Sequence, residues 1–221
     1  MSYLPQIKNG KILDIGCAGG AWLQIVKQNG WECYGVDFVE SGQNQENIEI
    51  RYGYLPELSY PEEYFDVITA WGVLEHVHEP SRYFETVFRL LKKKGAFIFM
   101  VPNGDSLWSR WAYKEDTPRH LHSFRPSTLK KYAQKYGYYF KKIDFTNDVY
   151  SHPSSGRGMI KRQLLRKFGI PWSEIIEPSH RFTIKALGKA AGLLDHCLIH
   201  PKIEKLFHVS GTIVVILTKE I

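Results

Sequence analysis

The stretch ILDIGCAGGAWL, residues 12–23, limits the fold more tightly than any other part of the chain. An apolar run holding Asp14 near its end gives way to a turn of small residues, then to Leu23. Small residues let the backbone bend sharply and let a ligand approach it closely. The pattern is strand, turn, helix, and the chain goes on alternating. Strands are expected at 11–15, 33–37, 48–51, 65–71, 95–103, 140–145 and 211–219. Between them, helices are expected at about 20–28, directly after 71, from Pro80 through RYFETVFRLLKKKG to Gly95, and over RPSTLKKYAQKYGY with Pro126 in its first turn. Tyr83, Phe84, Val87, Leu90 and Leu91 give the Pro80 helix one apolar face. Alternation of this kind argues for an α/β, doubly wound, mostly parallel sheet with helices on both faces. Ligands of such sheets sit at the carboxyl ends of the strands, where Asp14–Gly20, Asp37, Trp71 and Asn103 fall.

The chain has 221 residues, enough for one domain with a sizeable core. No apolar run reaches the ~18 residues of a membrane span. The first residues, MSYLPQIKNGK, lack an apolar signal-peptide core. Three widely spaced cysteines, Cys17, Cys33 and Cys197, imply neither a disulfide framework nor a zinc ribbon. A reducing cytoplasm is the expected compartment. Net charge is +6, and the whole excess lies in residues 151–205, which hold ten Lys and Arg against four Asp and Glu. That segment breaks the alternation: 151–208 reads as a helical insertion with two basic amphipathic helices, a cap within a single domain spanning 1–221.

Two ligand classes compete for the turn. A dinucleotide fingerprint needs G-x-G-x-x-G, and Ala18 and Ala21 replace its second and third glycines. Asp14 would also repel a pyrophosphate, which prefers bare backbone amides. An ammonium group would be attracted instead. The pattern D-x-G-C-x-x-G suits a ligand carrying a cation, a carboxylate and a ribose, and S-adenosylmethionine has all three. Asp14 would reach its amino group, the Gly16–Gly20 backbone its methionine moiety, and Asp37 its ribose hydroxyls.

ILDIGCAGG, YGVD, FDVITAWGVLEHVHEP and LLKKKGAFIFMVPN, taken in order, resemble the class I S-adenosylmethionine-dependent methyltransferases, and most of all the branch of quinone-biosynthesis and glycan- or lipid-modifying enzymes. The resemblance covers about residues 11–145 and returns at GTIVVILTK. It implies a Rossmann-like seven-stranded sheet whose last strand is antiparallel and inserted between the fifth and sixth. It implies that Asp14, Gly16, Cys17, Ala18 and Gly20 form the methionine side of the pocket, that Asp37 holds the ribose, and that Phe38 lies beside the adenine. Trp71 and Gly72 would line the methionine arm, with His76 one turn further on. Tyr54 stands where many relatives carry an acid that meets the adenine, so a main-chain group near Leu55 is expected to replace that contact.

The acceptor side is less defined. His120 and His122, in TPRHLHSF, would share a face if extended and are the candidate proton-accepting pair. The plainer reading is that this segment anchors the next helix through Phe124. Trp108, Trp111 and Arg119 are candidate acceptor contacts. Cys17 has no evident base and reads as a steric choice. On a helix His76 and His78 would face different ways, so no metal site is expected from Glu75, His76, His78 and Glu79. The implied reaction is methyl transfer to a small-molecule, glycan or lipid-linked acceptor. The basic insertion suits either an ordinary cap or a peripheral contact with the inner face of a membrane. Rival readings are a nucleic-acid methyltransferase, disfavoured by TAWGVLE after the fourth strand, a non-catalytic binder of the same cofactor, and a nicotinamide-dependent oxidoreductase, disfavoured by Asp14.

Overall fold

The computed structural model describes residues 3–40, 48–106, 109, 118–146, 167, 206–208 and 210–220. The chain divides into two compact units, one of Met1–Pro102, Pro118–Asp144 and Val214–Ile221, the other of Asn103–Thr117 and Phe145–Ile213. The seven strands are β1 (Lys11–Ile15), β2 (Glu32–Asp37), β3 (Glu49–Tyr52), β4 (Phe65–Trp71), β5 (Leu91–Pro102), β6 (Tyr139–Thr146) and β7 (Thr212–Thr218). They form one sheet in the order β3-β2-β1-β4-β5-β7-β6. The pairs from β3 to β5 are parallel. The β5–β7 pair is antiparallel: Lys94 donates to the Lys219 carbonyl and Lys219 to that of Gly95, while Asn103 donates to Gly211 at the other end. The order reverses between β1 and β4, and the strand ends on either side of that reversal carry the site.

Among the described residues, the α-helices are α1 (Ala21–Lys27), α2 (Pro80–Leu90) and α3 (Pro126–Tyr136). Proline occupies the first turn of both α2 and α3, where its missing N–H is not needed. Gly137 ends α3 in the left-handed conformation, φ 81°. Phe124 and Leu129, the residue before the cap of α3 and the fourth within it, are both buried, as a hydrophobic staple requires.

Two sequence expectations fail here. No helix follows Trp71; residues 72–79 form turns, with His76 N–H bonded to the Val73 carbonyl at 2.9 Å. The Pro80 helix also stops at Leu90 rather than running to Gly95. Leu91 is extended and pairs with Phe65 of β4, and the register then jumps so that Val67 meets Ala96. The intervening Lys-Lys-Lys-Gly is a bulge. Lys94 takes φ 64° in it, and a Cβ on Gly95 would lie 2.8 Å from the Lys92 carbonyl. The apolar periodicity of Leu90 and Leu91 fits a helix and a buried strand equally, and the sheet takes Leu91.

The second unit is described only in part. Asn103 holds it together there: its amide nitrogen donates to the carbonyls of His208 and Ser210 at 3.1 and 3.0 Å. The expected insertion, 151–208, lies outside the described residues apart from 167 and 206–208.

In the first unit Phe84 of α2 is fully buried and meets Phe97, Phe99, Tyr132 and Tyr138, with ring centroids 4.7–6.4 Å away. Phe84→Ala is expected to cost about 3–5 kcal/mol, because so many rigid rings cannot collapse into the gap. Urea denaturation monitored by circular dichroism measures this directly.

Candidate active site

Residues 16–20 cross the carboxyl ends of β1 and β2. Gly16 and Cys17 both donate to the Val36 carbonyl, at 2.7 and 3.2 Å. Ala18 N–H donates to Asp37 Oδ2 at 2.7 Å, and Val39 N–H to Oδ1 at 3.1 Å. The bend needs left-handed backbone at Gly16 (φ 74°), Ala18 (φ 48°) and Gly20 (φ 81°). At Gly16 no side chain fits, since a Cβ would lie 2.4 Å from Val73 Cγ2. Ala18 tolerates its φ at the strain an L residue carries there, about 1–2 kcal/mol. Cys17 is buried over Gly35, where any Cβ would approach its sulfur to 2.5 Å. Burial pushes its thiol up to about 12, so at neutral pH it is no nucleophile.

Above this turn lies a cavity of about 350 Å³, lined among others by Gly16, Asp37, Phe38, Tyr54, Trp71, Gly72 and His76. Of the residues expected to hold the cofactor, these seven line it. Asp14, Cys17, Ala18, Gly20 and Leu55 do not. Phe38 and Tyr54 are exposed and stand ring to ring at its edge, centroids 4.7 Å apart. The Tyr54 that replaces an acid is thus one half of an aromatic pair. Trp71 is flanked by Trp22 at 5.8 Å and Tyr3 at 6.4 Å. A smaller cavity of about 210 Å³ adjoins this one through Tyr54, Val77, His78 and Tyr83, with Glu57, Glu79 and Arg82 on its walls.

Asp14 is 3% exposed, and Thr69 Oγ1 donates to its Oδ1 at 2.6 Å. Burial raises its carboxyl from about 3.8 to about 7; the Thr69 hydroxyl opposes the shift and the Asp37 charge adds to it.

The expected histidine pair is split. His122 Nε2 donates to the His78 carbonyl at 3.3 Å and lies against Phe124. His120 instead meets His76 edge to face, centroids 4.7 Å apart. Glu75 joins them: donor atoms of Glu75, His76 and His120 all lie within 4.8 Å of one another. The 118–122 segment is held here by Glu75, whose carbonyl accepts from Leu121 and His122 N–H at 2.8 and 3.2 Å. Arg119, expected to contact the acceptor, gives its carbonyl to His76 Nδ1 at 2.8 Å. Glu75 is 3% exposed, and burial raises its carboxyl to about 7. Sequence reasoning missed this grouping, because His120 lies 44 and 45 positions from His76 and Glu75 and no local pattern signals the contact. Trp108 and Trp111 lie outside the described residues.

A seven-stranded sheet of this order, with a glycine turn and an acid at its carboxyl edge, is the class I S-adenosylmethionine-dependent methyltransferase fold. An S-adenosylmethionine-dependent methyltransferase from Archaeoglobus fulgidus has the same fold, with a TM-score of 0.63 at 20% identity over 99% of this chain and 89% of its own. Residues 2–142 match the family described as "Methyltransferase domain", and the chain belongs to that family. It is similar to the ubiquinone biosynthesis O-methyltransferase of Pseudomonas fluorescens Pf-5, 32% identical over 155 residues that cover 60% of this chain. The corresponding protein of Coxiella burnetii is 27% identical over 177 residues, 69% of this chain and 74% of its own. The chain spans 66% of the length of the Pseudomonas relative, a little under two thirds.

S-adenosylmethionine, the cofactor of this family, fits the residues present. The turn leaves no side chain at Gly16, the Asp37 carboxylate keeps lone pairs for further donors, and the exposed Phe38–Tyr54 pair offers flat apolar surface.

The Asp14 shift has a definite sign. The native carboxyl keeps its proton to about pH 7, and the unfolded one loses it near 3.8, so the native state holds more protons in between. Stability therefore falls as pH rises through that window. Asp14→Asn keeps an acceptor for Thr69 and removes the titration. Denaturation midpoints of the two proteins should agree near pH 4 and diverge towards pH 8, with the variant more stable there by up to about 4 kcal/mol.

Proposed function

We propose that this chain transfers a methyl group from S-adenosylmethionine to a hydroxyl of a small, flat, partly aromatic acceptor. Bound in the cavity, the cofactor supplies an electrophilic methyl on a sulfonium whose departure as a neutral thioether needs no acid. The protein has to bind, align and exclude water. Asp37 takes the ribose hydroxyls. The Gly16–Gly20 backbone takes the methionine moiety, with Asp14 behind it as a buried carboxyl that an ammonium would draw into its charged form, and Phe38 and Tyr54 flank the adenine.

Acceptor recognition is assigned to the opposite wall. Trp71, with Trp22 and Tyr3 against it, presents aromatic surface at the cavity, and rings of this kind favour offset stacking with a flat acceptor. The names of the relatives, O-methyltransferases of quinone biosynthesis, support a hydroxylated ring. His76, which lines the cavity, brings Glu75 and His120 to that side. His122, tied to the His78 carbonyl, is left out of the acceptor machinery. The cationic surplus of 151–205 favours acceptors with an anionic or lipid-linked tail, delivered at a membrane surface. Flotation with anionic vesicles, lost at high salt, checks that part.

The observation that carries the reading is the Asp37 carboxylate fixed beside a turn of small residues. Calorimetric titration with S-adenosylhomocysteine should show one site. Asp37→Ala should weaken it at least tenfold, and NAD should not bind. Retention of full affinity in Asp37→Ala would overturn the assignment.

A further inference from the structure

We propose that Glu75, His76 and His120 form a binding site for a divalent transition-metal ion beside the cofactor cavity. Three observations carry it. The first is the donor set: one carboxylate and two imidazoles, with ligating atoms within 4.8 Å of one another. Ligands about 2.0–2.2 Å from a common ion lie up to about 4 Å apart, so the set closes on an ion by small side-chain rotations. His76 is exposed and His120 half-buried, which leaves both rings room to turn.

The second is the tautomer of His76. Its Nδ1 lies 2.8 Å from the Arg119 carbonyl, which can only accept, so Nδ1 carries the proton and Nε2 keeps its lone pair. A backbone carbonyl on the far nitrogen is the usual outer partner of a metal-bound histidine. The third is Glu75. The residue is buried, 3% exposed, and among the described residues nothing hydrogen-bonds its buried Oε2. The Arg119 charge acts favourably on this carboxyl, yet a buried oxygen without a hydrogen-bond partner remains costly, and a bound cation would satisfy it.

Two nitrogens and one oxygen, with coordination positions left open, suit zinc, manganese, iron(II) or cobalt(II) better than calcium or magnesium, which prefer oxygen shells. The site rests on the methyl-transfer reading only for its use. His76 also lines the cofactor cavity, so an acceptor hydroxyl could occupy an open position. Its O–H bond would break with the proton passing to water, and the new O–C bond would form as the S–C bond breaks.

The test uses the full chain stripped with a chelator and titrated with cobalt(II) and zinc(II). Cobalt(II) should give visible d–d absorption saturating at one ion per chain, and calorimetry should give the same stoichiometry. Glu75→Gln and His120→Ala should each weaken binding at least tenfold. His122→Ala should leave it in place. S-adenosylhomocysteine affinity, measured on the same variants, should be unchanged and shows that they are folded. Absence of saturable binding at millimolar metal, or binding indifferent to Glu75→Gln and His120→Ala, would overturn the site. Metal binding without homocysteine-nucleoside binding would keep the site and sink the methyl-transfer reading, and the reverse result would do the opposite.

Discussion

Three consecutive N–H groups, on Gly16, Cys17 and Ala18, are accepted by two consecutive residues at the end of β2, through the Val36 carbonyl and the Asp37 carboxylate. The rest of the site depends on this clasp. β1 and β2 are in register with Ile15 opposite Val36, so the turn leaves β1 where β2 can catch it. The clasp satisfies backbone donors that a bend would otherwise leave bare at the edge of the sheet, and its Asp37 bond is of the stronger, charge-assisted kind. It also demands left-handed backbone at alternate positions, which explains glycine at 16 and 20 and the strained alanine between them. Asp37 does double duty. The carboxylate that stiffens the turn also lines the cavity, so one group shapes both.

Asp14 works in the opposite sense. Asp37 is held by its hydrogen bonds, whereas Asp14 is buried with the Thr69 hydroxyl as its close partner and a second acid nearby. A buried carboxyl of this kind is neutral or unhappy until a cation comes within reach. In the proposed reading the ligand's ammonium would be answered by the carboxyl below the lining, and its ribose by the carboxylate on it. A diphosphate would meet both acids and gain from neither. Electrostatics thus separates the two ligand classes that the glycine spacing alone leaves close together.

Much of this was legible in the sequence, for a physical reason that also marks its limit. β1 and β4 were placed to the residue because each is a continuous apolar run closed by turn chemistry, and the place of the last strand between the fifth and sixth followed from the family resemblance. The glycine turn was legible because it is local: strand end, turn and helix start lie within ten residues. Where two structures share one apolar pattern the reading failed, as at Leu90 and Leu91, where an interstrand bulge took over from the helix. It failed again after Trp71, where LEHVHEP has helix-forming residues but turns instead, and Glu75 is buried for its backbone position. The pairing of Glu75 and His76 with His120 has no local signature at all.

On the proposed methyl-transfer reading, that asymmetry has a chemical reason. An in-line transfer to a neutral leaving group makes few demands on acid or base, so the donor side needs a fixed shape and the acceptor side is free to vary. A fixed shape is most cheaply encoded in contiguous residues, where the chain itself sets the spacing. A variable wall is most readily built from distant segments laid against the strand ends, because such segments can change without disturbing the sheet. Glu75 joins the two regimes. Its carbonyl fixes the backbone of 118–122, so that segment is positioned without its side chains. Its carboxyl lies beside the two rings, with ligating atoms of all three residues within 4.8 Å of one another. A segment held by its backbone can exchange its side chains and stay in place, which is the property an acceptor wall requires.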